Sequence, residues 1–168
     1  MSPNQILLLY ITFFALEFFV LQGLSLLNVR HARAKRNNIP LVFENRIDEV
    51  TFRRSIDYTL AHNRVGTVSH IFSSLVVLGI VLSGSLGWVD SLLKSLPLPG
   101  LIHGIIFIFL ISLFFSLISL PFGVYQQFVV EERFGFNTTT PKLFIADTIK
   151  GLLISGIIFF PLLLALFW

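Results

Sequence analysis

Cysteine is absent from this chain of 168 residues, and charged residues make up only 12% of it. Without cysteine, disulfides, cysteine-type zinc sites and thiol nucleophiles are excluded. The few charges accompany a hydrophobic content of 55% and a mean hydropathy of +0.85. A soluble domain cannot bury that much apolar surface, because a large share of its residues stays at the surface. The composition therefore indicates an integral membrane protein.

Four apolar runs are each long enough to cross a bilayer, which takes about 20 residues. The runs are continuous rather than alternating, and four strands cannot close a barrel, so each run is predicted to be a helix. The sequence therefore predicts an all-α membrane protein with a single transmembrane domain over residues 1–168. The predicted spans are residues 6–27, 65–86, 101–120 and 149–168.

Lys and Arg are distributed unevenly among the connectors, and this asymmetry predicts the orientation in the membrane. The connector from Asn28 to Arg64 holds eight of them, whereas the N-terminal tail before the first span has none. Between the second and third spans there is only Lys94. The positive-inside rule therefore predicts that the first and third connectors are cytoplasmic and that the N-terminus lies outside.

The first connector is predicted to contain a helix that projects from the membrane and continues into the second span. Asp48 is a suitable N-cap, and Glu49 is favourable in a first helical turn. Three apolar residues recur every fourth position and are expected to share one face of that helix. They are Phe52, Ile56 and Leu60.

A compact polar segment, VVEERFGFNTTTPKLF, separates the third and fourth apolar runs. Pro121 is expected to kink the third span, and the helix is then predicted to run on to Arg133 and end at Gly135. Thr140 is predicted to cap the next helix and Pro141 to occupy its first position. The segment is thus predicted to be a helix end, a tight turn and a capped helix start.

Glu17 is the one carboxylate in the middle of an apolar run. A charge at that depth is costly, so Glu17 is expected to face the bundle interior, a partner or water. No basic residue is expected at its depth, because ideal helix rise offsets His70 by roughly 7 Å along the membrane normal. Two interpretations stay open: Glu17 lines a water-filled cavity, or it is protonated or locally hydrogen-bonded and has a structural role only.

No catalytic pattern in the chain points to a reaction. The H-E-x-x-H pattern of zinc proteases needs two histidines four residues apart with a glutamate after the first. The four histidines of this chain do not fit that pattern. The residues alone therefore assign neither a catalytic group nor a metal ligand.

Several segments resemble one family. EERFGFN followed by TP, F, D and K, within residues 131–150, resembles the N-terminal membrane domain of the CAAX prenyl endopeptidases, which are integral-membrane zinc metalloproteases. LPFGVYQQFVV just before it, P-x-x-F at Pro40–Phe43 and SIDYTLAHNRVG at Ser55–Gly66 are similar to the same family. The chain is closest in look to bacterial members, for which a location in the inner membrane is implied, or in the endoplasmic reticulum for a eukaryotic chain.

The resemblance implies that the four spans form part of a larger helical chamber in the membrane. Family enzymes carry H-E-x-x-H in a further cytoplasmic domain, so zinc is implied for the complete enzyme and no zinc ligand for this chain. The implied partners are the lipid bilayer, the remainder of the protease and a peptide or prenylated-peptide substrate, with no nucleic acid. The chamber suits a Glu17 that faces water. The candidate contacts with the zinc domain are Glu131, Glu132, Arg133, Phe136 and Asn137.

Two hypotheses for the function remain. In the first, the chain is the membrane portion of a zinc endopeptidase, forms part of its chamber and docks the catalytic domain. In the second, it is a shortened, non-catalytic homologue that acts as a membrane scaffold or binds a lipidated peptide. An H-E-x-x-H encoded after Trp168 supports the first, and a stop codon supports the second. A small transporter has only Glu17 in its favour and lacks the inverted repeat of that class.

Overall fold

The computed structural model describes residues 2–40 and 47–167, which contain six α-helices, one π-helical turn and no strand. Four helical segments of these residues are long and apolar enough to cross a membrane. This confirms the predicted all-α membrane fold. The elements are α1 (Pro3–Lys35), α2 (Glu49–Ser83), α3 (Ser85–Lys94), α4 (Gly100–Tyr125), the π turn (Gln126–Glu131), α5 (Glu132–Phe134) and α6 (Pro141–Phe167).

The helices form a row in chain order. α1 packs against α2, α2 against α4 and the π turn, and α4 against α6, while α3 lies against both α2 and α4. The end of the row where α1 ends, α2 and α6 begin and the π turn lies is referred to below as the polar end. Few side chains are buried within this row, because most helix faces have no neighbour among the described residues. The buried residues in this part of the chain are Ser74, Leu93, Ile105 and Val130.

The start of α2 confirms the sequence prediction. The Asp48 carboxylate accepts a hydrogen bond from the backbone N of Thr51 at 3.0 Å. Hydrogen bonds from the Thr51 side chain and backbone lower the pKa of Asp48. The helix continues past Gly66 without interruption, as expected, and so joins the first connector to the second span.

The end of α2 differs from the prediction. The second span was expected to reach residue 86, but the helix ends at Ser83 because Gly84 adopts a left-handed φ of 70°. α3 follows at once, a helix of 10 residues that the sequence analysis did not predict. α3 lies in the connector that holds Lys94. Gly84 links it to α2, and glycine adopts the left-handed conformation found there without steric cost.

The third span continues beyond Pro121 to Phe134, and the prediction that this helix ends at Gly135 is confirmed. The π turn within it was not predicted. Such turns are rare and are frequently found at functional sites. At the start of α6, the backbone N of Leu143 donates to Oγ1 of Thr140 at 3.3 Å, so the predicted capping threonine is also confirmed.

A polar seam joins α1 to α2 within their apolar stretches. Ser25 Oγ donates to Oδ1 of Asn63 at 2.9 Å and lies 2.8 Å from Oγ1 of Thr67. About one helical turn further into both apolar runs, Nε2 of Gln22 lies 3.0 Å from Nδ1 of His70. These pairs run in opposite directions along the two helices, so they fix α1 and α2 as antiparallel neighbours in a defined register.

We predict that Ser25→Ala lowers the free energy of unfolding by about 0.6–1.7 kcal/mol, the span from the average to the largest measured interhelical hydrogen bond in a membrane protein. The measurement is thermal unfolding of the protein, as its host makes it, in lipid nanodiscs. Ser119→Ala is the matched control, because Oγ of Ser119 donates to the carbonyl of Phe115 in its own helix at 2.9 Å. An equal loss of stability in both variants would show that the seam contributes nothing specific.

Candidate functional site at the polar end

The segment Glu131–Asn137, which we term the polar turn, ends the long helix with two backbone hydrogen bonds. The N–H of Phe136 donates to the carbonyl of Glu131 at 2.9 Å, and that of Gly135 to the carbonyl of Glu132 at 3.0 Å. This is the Schellman pattern, in which the residue after the helix takes a left-handed conformation. Gly135 does so with a φ of 75°, which explains why glycine stands there.

The Asn137 side chain holds the polar turn together. Its Oδ1 accepts hydrogen bonds from Nε2 of Gln127 at 2.7 Å and from the backbone N of Thr139 at 2.8 Å. Its Nδ2 donates to Oε2 of Glu132 at 2.8 Å. The amide thus links the π turn, the end of the helix and the segment that leads to α6. An apolar side chain at this position could not make any of these bonds.

α2 anchors the polar turn from the other side. The ring of Tyr58 lies edge-on to Phe134 at 5.6 Å and to Phe136 at 4.9 Å, measured between ring centroids. Nη2 of Arg54 donates to the carbonyl of Phe134 at 2.7 Å. A Cβ on Gly135 would lie 3.3 Å from that nitrogen, so the guanidinium also approaches the turn at the glycine.

The two segments that carry the family resemblance therefore meet in space. Tyr58 belongs to SIDYTLAHNRVG and Phe136 to EERFGFN, and one turn further along α2 Nδ1 of His62 lies 2.7 Å from Nε2 of Gln126. The resemblance in P-x-x-F cannot be placed in the same way, because Phe43 lies outside the described residues.

The five candidate docking residues divide into two kinds. Glu132 and Asn137 bond to each other within the polar turn. Glu131 is half-buried, Arg133 is exposed with its guanidinium 6.0 Å from the Phe134 ring, and the Phe136 residue remains 53% exposed. The structure brings all five into one short turn. Their role in docking stays a prediction.

Three further residues of this site were not predicted. Gln127, Tyr58 and Arg54 position the polar turn, but they come from other parts of the sequence. Tyr58 and Gln127 both lie in segments quoted for the resemblance, and that was the available signal. Arg54 looks like an ordinary surface residue in the sequence, because its partner is a backbone carbonyl that only the fold brings near.

Beside the polar turn, a groove of about 800 Å³ opens between α1, α2 and α5. Asp57 is the one carboxylate among the described residues that line it, and Arg36 donates two hydrogen bonds of 2.8 Å each to this group. The hydrogen bond and the negative charge of Asp57 raise the pKa of Arg36 above its ordinary value, so this guanidinium stays charged. Four more arginines line the groove: Arg33, Arg54, Arg64 and Arg133.

The expectation that no basic residue lies near Glu17 is wrong. Oε1 of Glu17 lies 3.6 Å from Nε2 of His70, whose other ring nitrogen faces Gln22. Ideal helix rise compares only the backbone positions, and the long Glu and His side chains bridge the offset between them. Phe18 stacks on the same imidazole ring with centroids 5.9 Å apart. Glu17 thus joins the polar seam between α1 and α2.

Neither region offers a metal centre. Within residues 2–40 and 47–167, no three His, Asp or Glu side chains come close enough together to hold an ion. A zinc site takes three or four such ligands. The described residues therefore do not fit the zinc that the resemblance implies for a complete enzyme.

A solved structure is similar to this fold. The crystal structure of Ste24p from S. mikatae superposes with a TM-score of 0.75 at 28% sequence identity. The match covers 89% of this chain and 37% of that one. The row of helices described here therefore corresponds to a part of a larger membrane protein of the same architecture.

Curated relatives agree with the structural match. CAAX prenyl protease 1 of Saccharomyces cerevisiae is 31% identical over 144 residues, which is 80% of this chain and 32% of that protein. The probable CAAX prenyl protease 1 of Schizosaccharomyces pombe is 29% identical over 136 residues, which is 73% of this chain and 29% of that protein. The chain thus spans about a third of the length of these relatives.

One protein-family profile matches most of the chain. It is described as the CAAX prenyl protease N-terminal region with five membrane helices, and it aligns with residues 28–168. The aligned part begins near the end of α1 and includes α2, the polar turn and α6. This chain belongs to the CAAX prenyl protease N-terminal family.

Proposed function

We propose that this chain is the membrane portion of a zinc metalloendopeptidase that cleaves prenylated or other membrane-associated peptides. Membership of the family supports the reaction class, and the names of the relatives supply the prenylated substrate. The zinc ligands then come from outside the described residues. In this proposal the residues of this chain position the catalytic domain and supply no zinc ligand.

The polar turn is the proposed docking surface for the zinc domain, and one observation carries this proposal. The turn is fixed from inside by Asn137 and from α2 by Tyr58, yet it keeps charged and apolar side chains exposed. Arg133 and Phe136 are both exposed on this hydrogen-bonded turn. Arginine and aromatic side chains are the types that are enriched in protein–protein interfaces.

The same proposal implies an orientation of the helices in the membrane and a place for them in the wall of a chamber. The arginines of the groove and the polar turn lie at one end of the helices, and the positive-inside rule assigns such an end to the cytoplasm. The open row of helices is then one wall of a chamber that further spans complete. In that arrangement Glu17 and His70 would face its water, since polar residues at membrane depth usually line a cavity or pair with each other.

The first test is the intact mass and metal content of the native protein in its host membrane. A mass far above 19.0 kDa together with bound zinc is the expected result, because the proposed ligands lie outside this chain. A native mass of 19.0 kDa without zinc would overturn the proposal. That result would favour the competing hypothesis of a shortened, non-catalytic scaffold or lipidated-peptide-binding protein.

We predict that the double variant Glu131→Gln and Arg133→Gln lowers peptide cleavage by the complete protein without lowering its melting temperature. Neither side chain donates or accepts a hydrogen bond within the described residues, so the fold of the membrane portion should be kept. Lys142→Gln is the control, because Lys142 is also exposed at the polar end but lies outside the polar turn. Cleavage that stays at the wild-type rate in the double variant would contradict docking by these charges.

We predict that Asn137→Asp destabilises the polar turn by roughly 1 kcal/mol, since it replaces a hydrogen bond by an unfavourable pair. A carboxylate there would face that of Glu132, whose Oε2 lies 2.8 Å from Nδ2 of the native Asn137. Activity and melting temperature should fall together, because the docking surface itself is disturbed.

Two comparisons check this explanation. Adding Glu132→Gln to Asn137→Asp restores a donor and should recover much of the melting temperature. Lowering the pH should also recover it in the single variant, because repulsion raises the folded-state pKa of one carboxyl above its unfolded value. The destabilisation is then present at neutral pH and relieved as the pH falls through that raised pKa. A loss unaffected by either change would refute the proposed geometry.

A further inference from the structure

The cationic groove between α1, α2 and α5 has two kinds of lining. Towards the polar end it is formed by guanidinium groups and Asp57. Towards the bilayer it is formed by apolar side chains in and next to the first and second apolar runs, together with Gln22, Ser25 and Thr67 of the polar seam. The groove therefore crosses the level at which lipid gives way to water. The apolar lining residues are Leu26, Val29, Leu60 and Val68.

The polar part of the groove has an excess of positive charge. Among the described residues that line it, Asp57 is the only carboxylate, and it already accepts two hydrogen bonds from Arg36, a fifth guanidinium next to the four of the lining. Arg33 and Arg64 are both exposed on neighbouring helices that face the same space. The described residues thus supply several cations to one site and no second anion to balance them.

Guanidinium groups bind phosphate, like carboxylate, through paired N–H donors. Basic pockets between membrane helices at the headgroup level bind anionic lipid headgroups for this reason. A free phosphate ion would use the arginines alone. An anionic phospholipid would use the apolar wall as well, because its acyl chains continue along α1 and α2 into the bilayer.

We propose that this groove is a binding site for an anionic phospholipid. The headgroup phosphate lies among Arg33, Arg54 and Arg64, and the acyl chains lie along Leu26 and Val68. The site is separate from the exposed face of the polar turn, although Arg133 borders both. Occupancy of the groove would couple α1 to α2 at the point where their polar seam leaves the membrane.

The experiment uses the protein as its host makes it, in nanodiscs of phosphatidylcholine with and without phosphatidylglycerol. Native mass spectrometry counts the phosphatidylglycerol molecules retained after the protein is released from the nanodiscs. We expect Arg33→Gln and Arg64→Gln each to weaken retention roughly fivefold, the effect of one basic residue near an anionic lipid surface. Arg33→Lys keeps the charge and should weaken it less.

Arg30→Gln is the matched control. It removes the same charge from the same helix one turn earlier, and Arg30 does not belong to the lining of the groove. Retention should therefore stay at the wild-type level in this variant. Equal losses for Arg30→Gln and Arg33→Gln would overturn the site, because they would show general attraction to a basic surface.

Two further outcomes would also overturn the proposal. One is that phosphatidylglycerol is not retained by the wild-type protein. The other is that inorganic phosphate added to phosphatidylcholine nanodiscs displaces phosphatidylglycerol completely and binds with the same dependence on Arg33, which would make the site one for a free anion. Peptide cleavage in phosphatidylcholine alone should not change in Arg33→Gln, so this test stays independent of the docking test.

Discussion

A helix in lipid must satisfy its own backbone hydrogen bonds, and the rest of this structure depends on how α2 meets that constraint. The helix runs without a break from Glu49 to Ser83, past a glycine and several polar side chains. α1, α3, α4 and the π turn all pack against it. One continuous element therefore sets both the register of the membrane helices, through Ser25 and His70, and the position of the polar turn, through Tyr58.

What the sequence could predict was local. Asp48, Gly135 and Thr140 act through their own backbone geometry or through bonds to residues a few positions away, so their types and spacing were sufficient. The π turn and α3 were missed because no single residue type specifies either. The contact between Glu17 and His70 was missed because it depends on how far two side chains reach between helices, which residue spacing along one helix does not report.

In the candidate site, too, the sequence predicted local features and missed the contacts that depend on the fold. Grouping Glu131, Glu132, Arg133, Phe136 and Asn137 needed only a compact polar segment and a resemblance. Separating them into residues that hold the turn and residues that it displays needed coordinates. The Asn137 side chain has one carbonyl oxygen and one NH2 group, and only the fold shows that both form hydrogen bonds within the site. The cationic groove was also out of reach, since its arginines come from α1, α2 and α5.

α2 also acts as a spacer of fixed length. Its 35 residues extend about 52 Å at 1.5 Å per residue, whereas the hydrocarbon core of a bilayer is about 30 Å thick. Roughly 20 Å of rigid helix must therefore stand clear of the hydrocarbon. Tyr58 lies seven residues before the apolar run that begins at Val65, which corresponds to about 10 Å along the axis. The docking proposed for the polar turn would therefore place a domain at headgroup height, where the proposed lipidated peptide could meet it while the lipid stays in the bilayer.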